Sequence, residues 1–149
     1  MKIGDLARGA DCPVETIRYY EREGLLPAPA RSDGNYRLYG AMHLDRLQFI
    51  RNCRSLDMTL EEIRSLLRFR DAPEDNCGAV NILLDDHIEH VATRIAELQQ
   101  LEKQLKALRT QCRKVRATKD CGILSGLESD KIAKPVSGNG AHVRRTHRV

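Results

Sequence analysis

The sequence TIRYYEREGLLP occupies residues 16–27, and a second motif, NYRLY, follows it at residues 35–39. Helical spacing of apolar residues precedes the first motif, and Pro13 opens a second helix over residues 13–23. Two short helices joined by a tight turn predict a helix-turn-helix, whose second helix can enter the DNA major groove. Turn residues followed by alternating polar and aromatic residues predict a β-hairpin wing over residues 30–40.

The composition places the chain among globular proteins. Of its 149 residues 41% are hydrophobic and 31% are charged, which excludes disorder as its main state. No apolar run approaches the roughly 18 residues that span a bilayer, and the first residues lack the apolar region of a signal peptide. We therefore expect a cytoplasmic protein without membrane contact. Motifs for redox, metalloprotease, phosphate-binding or nucleophilic catalysis are absent, so the sequence predicts no enzyme.

Two further helices complete the predicted first domain, residues 1–70. Apolar residues at helical spacing from Leu44 mark the third helix, and His43 lies at its start. The fourth helix begins after Thr59, because Glu62 lies three residues later in a capping box. Residues 71–79 are predicted to be a loop.

A long apolar seam dominates the rest of the chain. It predicts a helix over residues 80–116, with about five heptads and one phase slip. Its members recur at steps of three and four residues: Val80, Leu84, Ile88, Val91, Ile95, Leu98, Leu101, Leu105, Leu108, Cys112 and Val115. So narrow a stripe needs a partner helix, most simply from a second copy. The fold class is therefore mainly α: a winged helix-turn-helix DNA-binding domain followed by a long antiparallel coiled-coil dimerisation helix. A loop and short helix follow at 117–128, and a disordered tail is expected at 129–149.

Three of the five cysteines converge if the helix pairs in an antiparallel dimer. The seam has its midpoint near residue 97, so facing positions sum to about 195 and Cys77 meets residue 118 of the other chain. That position lies between Cys112 and Cys121. In a parallel pair Cys77 and Cys112 would lie about 50 Å apart. The antiparallel dimer therefore predicts two clusters of three thiols.

Three thiolates without an evident fourth ligand favour a soft ion such as Cd(II), Pb(II) or Hg(II), since Zn(II) prefers a closed tetrahedron of cysteine and histidine. The alternative is that Cys112 is only a small core residue of the seam. Cys12, in the first turn, and Cys53, on the inward face of the third helix, are interpreted as packing residues.

Histidines offer a weaker metal pattern. His87 and His90 lie one turn apart near Cys77, and the tail adds His142 and His147. They form a second, harder metal site if the tail folds back. Otherwise they are ordinary solvated surface residues.

Two arginines carry the DNA-binding prediction for the second helix. Arg18 and Arg22 lie one turn apart, where guanidinium groups can reach phosphates or guanine edges. The alternative is a solvated charged face on which Glu21 and Glu23 neutralise them, which the adjacent wing disfavours. The candidate DNA-binding residues of helix and wing are Thr16, Arg18, Tyr19, Tyr20, Arg22, Arg31, Asn35, Tyr36, Arg37 and Tyr39.

Residues 2–67 resemble the MerR family of winged-helix transcription regulators in both motifs quoted above. The strings CRSLDMTLEEIRSLL (53–67) and CGAVNILLDDHIEHVATRI (77–95) are more narrowly similar to its cadmium- and lead-responsive (CadR/PbrR-like) subgroup. One departure is Pro13, where many relatives have a serine cap. The resemblance implies DNA contacts by Arg18, Tyr19, Tyr20, Tyr36 and Arg37.

The resemblance also implies a mechanism. The matching cysteines bind metal, with Cys112 and Cys121 from one subunit and Cys77 from its partner. A homodimer on a palindromic promoter represses without metal and, with Cd(II) or Pb(II) bound, distorts an overlong DNA spacer so that RNA polymerase can use it. The alternatives are a mercury or zinc sensor of the same family, since the Cys-x8-Cys spacing also resembles that of mercury relatives, and a cytosolic metal-sequestering protein.

Overall fold

The computed structural model describes residues 1–129, which form one compact unit from Met1 to Leu83 and a second from Leu84 onward. The described part is mainly helical, as the sequence predicts. Its elements, in chain order, are α1 (Ile3–Ala10), α2 (Val14–Arg22), β1 (Ala30–Arg31), β2 (Arg37–Leu38), α3 (Ala41–Ser55), α4 (Leu60–Arg70), α5 (Gly78–Arg109) and α6 (Gly122–Leu127), with a 3-10 turn at Thr118–Asp120 before α6. In this part of the chain no helix is both long and apolar enough to cross a bilayer.

The helix-turn-helix consists of α1 and α2. The turn between them is tight because Asp11 adopts a left-handed conformation (φ 48°) and the Cys12 N–H donates to the Ala7 carbonyl at 3.0 Å. Pro13 precedes α2 without a side-chain cap, and its carbonyl accepts from the Ile17 N–H at 3.1 Å. Ile17 is fully buried, so this face of α2 packs inward and the opposite face remains free.

The end of α2 depends on Gly24. Its φ of +73° lies in the left-handed region that favours glycine. The chain then reverses, and the Leu25 N–H donates to the Tyr20 carbonyl at 2.9 Å. Leu25 and Leu26 follow directly and are buried in the core.

The wing is a two-stranded antiparallel hairpin. Ala30 pairs with Leu38 and Arg31 with Arg37, as the alternation in the sequence predicts. The connecting turn has Asn35 at φ 63°, a conformation that asparagine tolerates.

Helices α3 and α4 complete the core of the first unit with Leu47, Ile50 and Ile63, which are fully buried. Two of their arginines also hold the loop that follows α2. Arg46 donates to the Leu25 carbonyl at 2.8 Å, and Arg64 donates to the Glu23 carbonyl at 2.8 Å. The position of α2 is therefore fixed by hydrogen bonds as well as by apolar packing.

Helix α5 differs from the prediction at its C-terminal end. It begins at Gly78, close to the expected residue 80, but ends at Arg109 and does not reach residue 116. The Thr110 hydroxyl donates to the Ala107 carbonyl at 2.6 Å, and Arg109 donates to the Cys112 carbonyl at 2.7 Å. The Thr110 hydroxyl thus satisfies a carbonyl in the last turn of α5, where helical N–H donors run out. Arg109 binds a carbonyl beyond the helix, in the turn that carries Cys112.

The predicted apolar stripe lies on α5, and among the described residues most of it remains exposed. The seam residues on α5 that are exposed, with between 37% and 58% of their surface accessible, are Leu84, Ile88, Ile95, Leu98, Leu101 and Leu105. An exposed apolar row of this length marks an interaction surface.

The capping box at α4 yields a stability prediction. The Thr59 hydroxyl accepts from the Glu62 N–H at 3.1 Å, and the Glu62 carboxylate accepts from the Thr59 N–H at 2.9 Å. Thr59→Ala removes the cap and should lower the free energy of unfolding by about 1 kcal/mol. Denaturant unfolding at fixed protein concentration measures it. Thr59→Ser keeps the hydroxyl and should stay near wild type, whereas equal stability of all three proteins would contradict the prediction.

Candidate functional site

A basic groove of about 580 Å³ lies between α2 and the wing. Its lining comes from the N-terminus and the start of α1, from α2 and from the hairpin. The residues that line it are Lys2, Ile3, Arg18, Glu21, Arg22, Arg31, Asn35, Tyr36 and Arg37. Five of these side chains are cationic, which suits a polyanion.

The exposed face of α2 presents the two predicted arginines. Arg18 forms an ion pair of 3.0 Å with Glu15 one turn earlier. The Arg22 guanidinium lies over the Tyr19 ring, 6.0 Å from its centroid. Neither guanidinium is buried, so both can exchange these weak partners for phosphate oxygens or base edges.

The wing side of the groove is ordered by its own contacts. Arg31 donates to the Asn35 carbonyl at 3.2 Å, across the hairpin turn. The Lys2 ammonium lies 5.8 Å from the centroid of the exposed Tyr36 ring. Arg37 lies 3.5 Å from the Glu21 carboxylate.

The groove omits some of the predicted residues. Thr16 and Tyr19 lie on α2 but do not line it. Tyr20 and Tyr39 are core residues, with 7% and 3% of their surface exposed, and the Tyr39 hydroxyl donates to the Glu21 carboxylate. The aromatic alternation of NYRLY could not separate the outward ring of Tyr36 from the inward ring of Tyr39.

Three residues that line the groove are not among the predicted DNA-binding residues: Lys2, Ile3 and Glu21. Lys2 lies outside both motifs in sequence. It reaches the groove because the neighbouring Met1 exchanges two backbone hydrogen bonds with Tyr39, directly after the wing. The position of Glu21 in the groove could be predicted from the sequence, because Glu21 follows Arg18 by three residues and so lies on the same face of α2.

Two of the predicted metal ligands are neighbours in the second unit. Cys112 follows the end of α5, and Cys121 directly precedes α6. Gly122 makes their approach possible, because a Cβ atom at this residue would lie 2.2 Å from the Gln111 carbonyl oxygen. Only glycine therefore lets the start of α6 pack on the turn that carries Cys112.

The surroundings of Cys121 favour its thiolate. The backbone N–H of Leu124, and with smaller effect that of Ile123, the Cys112 side chain and the Arg116 charge, hold the pKa of Cys121 below its ordinary value against an opposing effect of burial. A thiolate is the form that binds a metal ion, so this pair fits a soft cation.

The third predicted ligand, Cys77, belongs to the first unit. It lies directly before α5 with an exposed thiol, and its carbonyl accepts from the Asn81 N–H at 3.0 Å in the first turn of that helix. Cys12 and Cys53 are buried in the core, and burial raises the pKa of both thiols. Their interpretation as packing residues agrees with this placement.

Of the histidines, His87 is buried and His90 is exposed, one turn apart on α5. His142 and His147, like most of the tail expected to be disordered, lie outside the described residues. His43 is buried at the start of α3, where its Nδ1 accepts from the Gly40 N–H at 3.1 Å.

Two family models match the chain. "MerR HTH family regulatory protein" matches residues 1–69, and "MerR, DNA binding" matches residues 44–108. Together they extend from the helix-turn-helix to the end of α5.

Individual proteins similar to this chain are also transcription regulators. The transcription regulator PbrR691 from Ralstonia metallidurans CH34, solved in complex with lead(II), is 57% identical with a TM-score of 0.79, over 85% of this chain and 98% of that one. The HTH-type transcriptional regulator ZntR homolog of Haemophilus influenzae is 53% identical over 73% of this chain and 81% of its own length. The mercuric resistance operon regulatory protein of Bacillus cereus is 36% identical over 85% and 96%. The chain belongs to the MerR family of metal-responsive, DNA-binding transcription regulators.

Proposed function

We propose that this regulator binds a palindromic promoter as a homodimer and activates metal-resistance or efflux genes when it binds Cd(II) or Pb(II). The observation that carries the metal-sensing role is the approach of Cys112 and Cys121, which depends on Gly122. We propose that it acts in the cytoplasm, where promoter DNA is available.

The DNA-contact surface is the basic groove. In this proposal Arg18 and Arg22 of α2 enter the major groove, while Arg31, Tyr36 and Arg37 of the wing contact the phosphate backbone. Their exposure and the positive charge of the groove support this assignment. Asn35, which lines the groove, remains a candidate contact, as do Thr16 and Tyr19, which lie outside its lining. Tyr20 and Tyr39 support the groove from the core.

The dimer forms through the apolar stripe of α5, in antiparallel orientation. If the seam is centred on the helix, facing positions sum to about 187, so Cys77 of one chain lies opposite Thr110 of the other. Thr110 is two residues before Cys112. The shorter helix therefore keeps the convergence of Cys77 with the Cys112–Cys121 pair of the second copy, and each end of the dimer holds three thiols.

Three thiolates favour soft ions of low coordination number, and the lead-bound relative supports Pb(II). Mercury and zinc remain the alternatives, because relatives include a mercuric resistance regulator and a ZntR homolog. Reporter induction across Cd(II), Pb(II), Hg(II) and Zn(II) separates these alternatives. A second, histidine-based site that includes His87, His90, His142 and His147 stays a prediction.

Activation follows a population shift. An ion that binds one dimer conformation more tightly raises the population of that conformation. In that conformation the two basic grooves of the dimer hold the two half-sites of the promoter at a different distance and angle. Bending and untwisting a promoter spacer costs on the order of 1–6 kcal/mol, which differential metal affinity can supply. RNA polymerase then finds the promoter elements aligned. A metal-sequestering protein, in contrast, would show no sequence-specific DNA binding in its apo form.

The groove assignment predicts the behaviour of Arg18→Ala. This variant should bind operator DNA more weakly and, if the guanidinium contacts a phosphate, should reduce the slope of log affinity against log salt by about one unit. Fluorescence anisotropy over a salt series measures both quantities. A lower affinity with an unchanged slope and relaxed base preference would indicate a base contact, and unchanged affinity would remove α2 from the interface.

The metal-loop assignment predicts the behaviour of Gly122→Ala. The new Cβ would displace the Gln111 carbonyl and separate Cys121 from Cys112, so soft-metal affinity should fall roughly 10- to 100-fold, as for other residues that position ligands. Titration of purified protein with Cd(II), followed by thiolate-to-metal absorbance, measures this affinity.

Two further variants provide a control and a second test of the metal-loop assignment. Gly126→Ala is the matched control, because its Cβ would meet only the Leu108 side chain, at 3.1 Å, which can move aside. Cys112→Ser should abolish metal-dependent activation and leave operator binding nearly intact. Wild-type metal affinity in Gly122→Ala, or normal activation in Cys112→Ser, would contradict the assignment.

A further inference from the structure

The basic groove contains one acidic side chain that does not fit simple charge complementarity. Among the residues that line the groove, five are cationic and Glu21 alone is anionic. Its side chain is 13% exposed, so water screens it only partly. A carboxylate so close to a polyanion disfavours binding, unless it contributes something that outweighs the repulsion.

Each carboxylate oxygen of Glu21 contacts a side chain at the end of the wing: Arg37 lies in β2, and Tyr39 follows β2 directly. The Tyr39 hydroxyl donates to Oε1, and Arg37 Nη1 lies 3.5 Å from Oε2. Glu21 itself is on α2. One carboxylate thus connects the helix that faces DNA with the hairpin beside it.

Tyr39 makes this connection rigid. Its N–H donates to the Met1 carbonyl at 2.8 Å, and its ring meets His43 edge to face, with centroids 5.2 Å apart. Burial, together with the hydrogen bond to Glu21, raises the pKa of Tyr39 to about 12. The hydroxyl therefore stays protonated at neutral pH and remains a donor to the carboxylate.

We infer that Glu21 is a positioning residue for operator recognition: it fixes the wing, and Arg37 in particular, relative to α2 without touching DNA. This inference rests on the proposed role of the groove as the DNA-contact surface. Glu21 contributes to selectivity, because a wing held in one orientation can match only one arrangement of phosphates. When the ion pair with Glu21 is lost, the Arg37 side chain can contact phosphates in other arrangements.

Glu15 provides a matched comparison on the same helix. It also pairs with an arginine, Arg18, at 3.0 Å, but its side chain is 80% exposed and its pair lies within α2. Removing either carboxylate changes the charge near DNA by the same amount. Only Glu21 has a partner on the wing, so the two substitutions separate positioning from electrostatics.

The test compares Glu21→Gln and Glu15→Gln on operator DNA and on non-operator DNA of equal length. Glu15→Gln should bind both DNAs as tightly as wild type or more tightly, since it removes a repulsive charge. Glu21→Gln should bind the operator about tenfold more weakly, in line with the loss of the charge on one hydrogen bond and of one ion pair, while its affinity for non-operator DNA stays equal or rises. Tyr39→Phe should also weaken operator binding, and its effect should not add to that of Glu21→Gln.

Each other outcome overturns the inference. Operator binding by Glu21→Gln at wild-type strength or above would mean that the carboxylate only repels DNA. A parallel loss on both DNAs with a lowered melting temperature would mean a general stabilising role. If Arg18→Ala leaves operator affinity unchanged, the groove assignment itself fails. If Arg18→Ala weakens binding and Glu21→Gln does not, only the role of Glu21 is wrong.

Discussion

The constraint on which this molecule depends is the apolar stripe of α5, most of which stays exposed in the part of the chain that the structure describes. The helix has 32 residues and so extends about 48 Å, too long and too narrow in its apolar face to form a core alone. Burying leucine and isoleucine side chains such as Leu98, Leu101 and Ile95 requires a second helix. We propose that antiparallel pairing of two copies satisfies this need, and in that arrangement thiols from different chains meet at each end of the dimer.

The basic groove of the first unit depends on a few polar contacts, which fix the positions of α2 and the wing. Arg46 and Arg64 hold the loop after α2, and Glu21 holds the wing through Tyr39 and Arg37. The cationic side chains of the groove are therefore held in place by hydrogen bonds and ion pairs between the elements that carry them. In the proposed function, metal sensing and DNA contact use separate residues. Metal binding can then change the distance and angle between the two grooves of a dimer without changing either groove.

The sequence predicts the helices and the hairpin because each has a local signal, such as Gly24 after α2 or the Thr59 capping box. It does not predict the end of α5, since the apolar period continues through Val115 while the chain turns at Thr110. Periodicity also cannot tell that Tyr39 points into the core, and it cannot reveal that Glu21 reaches the wing. Both depend on contacts between residues far apart in sequence. Gly122 likewise carries no motif, because its role arises from the Gln111 carbonyl packed against it.

Soft-metal titration of a mixed dimer tests the shared metal sites most directly. One subunit carries only Cys77→Ser, and the other carries only Cys112→Ser. In an antiparallel dimer one end then keeps all three thiols, and the other end loses two of them. The account predicts one tightly bound Cd(II) per mixed dimer, with an affinity equal to that of wild type. Two equally weakened ions per dimer would mean that each site is built within a single chain, and would contradict it.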